Sequence, residues 1–149
     1  MNIIQIIIDD IYNASNREDL FTMYSNESKG KGLPNVNPDW DMYKTLESLG
    51  MLDTIGVYKD KLLVGFATVI TNKMPHYSTY ASTVESIFVL KEYRKYGAGK
   101  KLIEKVEEVV KKKGAKQLFL SAPYHGVLNR VAGSFGFNKT NVVYTRHLV

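Results

Sequence analysis

Apolar residues follow two rhythms along the chain, helical spacing before Leu52 and short alternating or continuous runs after it. At the N-terminus Ile4, Ile7, Ile8 and Ile11 fit a helix while the run of isoleucines favours a strand, so residues 3–12 read as a strand turning into a helix. Ser15 and Glu18 form a capping-box pattern for a helix running to about Ser28, with Leu20, Phe21, Met23 and Tyr24 available for burial. Gly30, Gly32 and Pro34 punctuate a loop over 29–37. Asn37 and Pro38 then supply an N-cap and first-turn proline for a helix carrying Trp40, Tyr43, Leu46 and Leu49 up to Gly50.

Beyond Leu52, strands are expected over 54–58, 62–71 and 80–90, with a tight turn at Lys59-Asp60 and a loop holding Pro75, giving an antiparallel meander. Ala98, Leu102, Ile103, Val106, Val109 and Val110 mark one face of a helix that Gly114 ends, and the apolar run 118–120 follows. Strand, helix and strand at this spacing make a βαβ crossover. A short helix over 126–135 and a final strand over 140–148 complete the reading. The fold class is α/β (α+β), a mixed, mostly antiparallel sheet of six or seven strands flanked by helices, in a single domain spanning 1–149.

Composition narrows the chemistry. With 149 residues and 44% of them hydrophobic, the chain can build a core without staples. It has no cysteine, which removes thiol chemistry. The apolar segment 1–8 lacks a basic leader and a cleavage site, and Asp9 and Asp10 end it, so a cytoplasmic protein without membrane contact is expected. His76, His125 and His147 lie too far apart for metal-ligand spacing, and no metal is expected. Gly133-Ser134-Phe135-Gly136 lacks the nucleophile-elbow pattern.

The net charge of +5 is concentrated. Residues 91–116 hold ten cations against four carboxylates, so this segment carries +6 and the rest of the chain −1. Such a cluster points to one polyanion docked at one place rather than to a nucleic-acid surface. Lys111, Lys112 and Lys113 read instead as cations opposing a helix C-terminal dipole.

The strand residues Ile87, Phe88 and Val89 lead through Arg94-Lys95-Tyr96-Gly97-Ala98-Gly99-Lys100 into the helix. A P-loop would need glycine where Arg94 stands and a hydroxyl residue where Lys101 stands, and the dinucleotide fingerprint needs glycine in place of Leu102. An anion site still follows from the backbone freedom of Gly97 and Gly99, the unpaired N–H groups of a helix start and the charges of Arg94, Lys95 and Lys100. Arg94 to Gly99 resembles motif A of the GCN5-related N-acetyltransferases: Arg or Gln, two residues, Gly, one residue, Gly or Ala. Gly136-Phe137 resembles the Gly-Phe pair after that family's last helix. In element order the resemblance covers about 15–148, and as sequence 84–103.

The resemblance implies the family's acetyltransferase fold and acetyl transfer from acetyl-coenzyme A to a primary amine, on a small molecule or a peptide. It further implies that the main chain of Ile87, Phe88 and Val89 pairs with the pantetheine and that the turn 95–100 wraps the pyrophosphate. His125 falls where the family often has an asparagine touching coenzyme A. Self-association into a homodimer is left open. The alternatives are an inactive acyl-coenzyme A-binding module and a nucleic-acid binder using the lysine-rich helix 98–113.

Direct attack by an amine requires a base. Glu85 is the candidate: it stands nine residues before Arg94, an offset resembling the glucosamine-phosphate branch of the family, and its apolar neighbours Val84, Ile87 and Phe88 are expected to desolvate it. The competing reading is a strand glutamate facing solvent or bonded to Ser86 or Thr83. The family's usual tyrosine acid is replaced by Ala132, leaving Tyr144, Tyr124 or His125 as substitutes, or water. Trp40, Tyr43, His76 and Tyr77 are candidates for an acceptor pocket, in a site expected to involve the loop 29–39, the turn 72–80 and the last strand.

Overall fold

A computed structural model describes residues 1–28 and 34–149. The ambiguous N-terminus resolves as expected, strand β1 (Asn2–Ile6) passing into helix α1 (Ile8–Tyr12), followed by α2 (Arg17–Ser28) and α3 (Trp40–Ser48). The meander is β2 (Leu52–Lys59), β3 (Leu62–Met74) and β4 (Thr79–Val89). A 3-10 turn (Lys91–Tyr96) then leads into α4 (Ala98–Lys112), and β5 (Gln117–Leu120), α5 (Val127–Val131) and a second 3-10 turn (Ala132–Phe135) follow.

The described residues form one sheet of five strands in the order β1-β2-β3-β4-β5, antiparallel except for the β4–β5 pair, so the expectation of six or seven strands is corrected. The strand expected over 140–148 is absent. Val142, Val143 and Tyr144 are consecutive and would point apolar groups to both faces of a strand, yet no neighbouring strand or covering layer takes them up; they are 73%, 76% and 91% exposed.

Each face of the sheet carries its own core. Ala98, Leu102, Val106 and Val110, spaced at successive turns of α4, pack on Ile55, Val57, Ala67, Val69, Val84 and Val89. On the opposite face Ile8 and Ile11 of α1 and Leu20 of α2 cover Leu52, Leu63, Phe66 and Phe88, with Trp40, Tyr43 and Leu46 of α3 packed against them. Lys113 does more than oppose a helix dipole. Its ammonium pairs with the buried Asp53 carboxylate at 2.7 Å, and Gln5 donates to the same carboxylate at 2.9 Å, tying the end of α4 to β2 and β1.

Two helix starts differ from the sequence reading. Glu18 does not close a capping box with Ser15; its carboxylate pairs with Arg17 at 3.0 Å. α3 is capped by Asp39, whose carboxylate accepts the Met42 N–H at 3.0 Å, so Asn37 and Pro38 stay outside the helix. Aspartate caps as well as asparagine does and adds negative charge at the positive helix end. Residues 29–33 of the expected loop lie outside the described residues.

Candidate active site

Glu85 occupies a β-bulge. The β3–β4 register passes from Val69 opposite Val84 to Thr68 opposite Ser86, so Glu85 is the extra residue on β4. Alternation is interrupted there. Val84 and Ile87 turn to the α4 face, while both Glu85 and Ser86 reach Thr68 on the α2–α3 face. The expected apolar surroundings of Glu85 are therefore not formed, because the bulge turns its carboxylate away from Val84 and Ile87 and leaves the residue exposed.

What surrounds the carboxylate is a set of hydroxyls. Tyr43 Oη of α3 lies 3.0 Å from Glu85 Oε1 and 2.8 Å from Oε2, donating its single proton to the carboxylate. The Thr68 hydroxyl donates to Oε2, which leaves it to accept from Ser86 Oγ at 2.5 Å. Burial pushes the Tyr43 phenol well above its ordinary pKa, and the charge of Glu85 pushes it further. The same two causes, in the same order, raise Tyr24, which packs edge-on against Phe66. Tyr43 is thus held as a neutral donor at physiological pH.

The bulge also marks where the sheet opens. β5 pairs with β4 only over Ala81–Val84, so Glu85 to Val89 have no strand neighbour on that side. The side chains of Ile87 and Val89 pack into the α4 core and Phe88 into the other, which leaves the main chain as the part of this stretch that can meet a ligand. Leu90 ends the strand, the 3-10 turn follows, and Gly97 stands in the left-handed region at φ +73° as the residue before α4. The first turn of α4 has neither a side-chain cap nor an acidic residue, so the N–H groups of Ala98, Gly99 and Lys100 point outward unpaired. An extended ligand with an anionic end fits this combination of open strand edge and bare helix start.

The cations divide into two sets. Arg94 donates from Nε to the Val89 carbonyl at 2.7 Å, pairs with Glu27 of α2 at 2.6 Å and lies over the Phe88 ring, so its guanidinium is committed to α2 and β4. Lys105 and Lys112 pair with Glu108, and Lys113 with Asp53. Among the described residues, Lys91, Lys95, Lys100 and Lys101 have no carboxylate partner and are exposed around the helix start, while Lys111 and Lys116, equally unpaired and exposed, lie at the far end of α4. Lys95 lies over the exposed Tyr96 ring, 5.3 Å from its centroid. Four of the six cations in the segment 91–116 that lack a carboxylate partner therefore stand at the mouth of the opening.

Other expected site residues are not gathered around Glu85. Tyr144 is 91% exposed in the C-terminal segment and has no hydrogen bond to Glu85. His125 is exposed beside Tyr124, the rings edge to face at 4.8 Å. His76 and Tyr77 meet edge to face at the β3–β4 hairpin, and Trp40 packs edge-on against Tyr12 and Phe21. A cleft of about 430 Å³ lies between α2 and the segment 36–40, lined by Arg17, Phe21, Ser25 and Trp40 among others, and Glu85 does not line it. Thr68 and Tyr43 were missed as partners of Glu85. Thr68 interrupts an otherwise apolar run, and that hydroxyl was the available signal.

Residues 13–137 match the model of the "Acetyltransferase (GNAT) family". No curated protein sequence matches the chain. Among solved structures, glucosamine-6-phosphate N-acetyltransferase from Arabidopsis thaliana superposes with a TM-score of 0.75 at 16% identity, over 99% of this chain and 98% of that one. Ribosomal-protein-alanine N-acetyltransferase from Brucella melitensis biovar Abortus 2308 gives 0.70 at 19%, over 100% and 99%. AAC(6')-Iy in complex with a bisubstrate analog built on coenzyme A gives 0.70 at 20%, over 99% and 98%. At these identities the superpositions establish the fold, and the family model covers the bulge, the opened edge and the glycine turn together. The chain belongs to the acetyltransferase (GNAT) family.

Proposed function

We propose that this protein transfers an acetyl group from acetyl-coenzyme A to a primary amine, with Glu85 taking the proton that the amine must lose. The observation that carries this reading is a juxtaposition. An exposed carboxylate, oriented by two hydroxyls, sits on the bulge from which an unpaired strand edge leads to an uncapped, cation-rimmed helix start. The main chain of Ile87, Phe88 and Val89 would hold the pantetheine arm. The N–H groups of Ala98, Gly99 and Lys100, with Lys95 and Lys100 as counter-charges, would hold the pyrophosphate. His125 is proposed as a further coenzyme contact.

The coenzyme supplies an acyl group activated as a thioester. The amine nitrogen attacks the carbonyl carbon, a C–N bond forms and the C–S bond breaks, and the proton released from nitrogen goes to Glu85 directly or through one water. A departing thiolate of ordinary pKa, about 8.5, takes its proton from solvent without a dedicated acid. The exposed carboxylate also attracts an ammonium group before it is deprotonated.

The test is a panel of amines assayed with acetyl-coenzyme A by thiol release. Sisomicin, the ligand of an aminoglycoside acetyltransferase of the same fold, glucosamine 6-phosphate and a peptide with an N-terminal alanine span the acceptor types of the structural relatives. Acetyl-coenzyme A is expected to raise the melting temperature by mass action, and at least one amine to release thiol above the rate with water. A melting temperature unmoved by millimolar coenzyme would contradict the proposal.

A further inference from the structure

We propose that Tyr43 is a positioning residue for the transfer reaction, its phenol and the Thr68 hydroxyl together fixing the Glu85 carboxylate in the single orientation that meets the amine. The inference rests on the reading of Glu85 as the base. An exposed glutamate on a bulge has three rotatable side-chain bonds and, left alone, spreads over many rotamers. Here both oxygens are within reach of one phenol, and a second hydroxyl donates to Oε2.

The donors themselves are fixed. The Thr68 hydroxyl that donates to Glu85 is itself held by Ser86 Oγ, 2.5 Å away, from which it accepts. Tyr43 lies one turn beyond Trp40, whose ring packs against Tyr12, Phe21 and Tyr43 itself, and Asp39 caps the helix that carries both. The position of the phenol is therefore set by the core on the α2–α3 face rather than by the carboxylate it serves. Its raised pKa keeps it protonated, which suits a donor and excludes it as a proton-accepting group near neutral pH.

Two measurements decide it. In the thiol-release assay, with the fastest amine of the panel, Tyr43→Phe is expected to lower kcat by about tenfold to hundredfold, the loss of one hydrogen bond to a charged group, and to leave KM for acetyl-coenzyme A unchanged. Thr68→Val should also lower kcat, with Thr68→Ser recovering most of that loss. The double variant Tyr43→Phe/Glu85→Gln should be no slower than Glu85→Gln alone, since Tyr43 acts only through the carboxylate. A Tyr43→Phe loss repeated in full beside Glu85→Gln, or a Tyr43→Phe enzyme at parent rate while Glu85→Gln is slow, overturns the inference and spares the base. Full turnover by Glu85→Gln overturns the base reading itself. A crystal structure of Tyr43→Phe reads positioning without turnover: Glu85 should lose its single orientation, and an unmoved carboxylate contradicts the inference.

Discussion

Tyr43 links the candidate base to the hydrophobic core, and its ionisation gives a separate handle on that link. Burial first, and the Glu85 charge second, raise its folded-state pKa above the ordinary value near 10. A group whose folded pKa is raised contributes stability that is fully present below its unfolded pKa and is lost as pH rises through the folded one. Unfolding free energy should therefore fall above about pH 10, and fall less steeply in Tyr43→Phe, which has no proton to lose there. Denaturant titrations of both proteins across the alkaline range check this; equal slopes would show that the phenol is not held as described. Tyr24, raised by the same causes, is present in both proteins, and its charge is itself a minor cause of the Tyr43 shift, so the reading is the difference between the two slopes.

The elements around the site show what patterning reveals and where it stops. Leu102, Val106 and Val110 announced α4 by periodicity alone, and the glycine turn before it by composition. The bulge was not legible, because β4 reads as one continuous run and nothing in Val84-Glu85-Ser86 says which residue is left unpaired. That single register shift decides whether Glu85 faces the α4 core or the hydroxyls of α3 and β3. The two glycines of the turn, alike in sequence, differ in structure. Gly97 has φ +73°, where a Cβ is strained, whereas a Cβ on Gly99 would meet the Phe135 ring at an ordinary 3.6 Å. Gly97→Ala should therefore cost about 1–2 kcal/mol of stability. Gly99→Ala should change stability by no more than about 0.5 kcal/mol, by the same denaturant titration.

At the scale of the molecule, one sheet separates two cores, and the opening between β4 and β5 lies where the bulge and the short β5 meet. The β propensity of residues 140–148 predicts a strand that does not form, because propensity counts residues and not available edges or covering layers. With Val142, Val143, Tyr144 and Leu148 at 73–91% exposure, this segment adds little to the fold. Deleting 140–149 should move the unfolding free energy by no more than about 0.5 kcal/mol. A larger loss in a thermal or denaturant melt would mean that the tail is docked in solution.

The account turns on Glu85 as the proton acceptor, and the most direct measurement compares kcat of the parent and Glu85→Gln at saturating acetyl-coenzyme A with one amine for both proteins. The substitution keeps the side chain's size and removes its basicity. Turnover is expected to fall by about 10² to 10⁴, the usual contribution of a positioned base, while the affinity for acetyl-coenzyme A stays at the parent value. Turnover at the parent rate by Glu85→Gln would contradict the account.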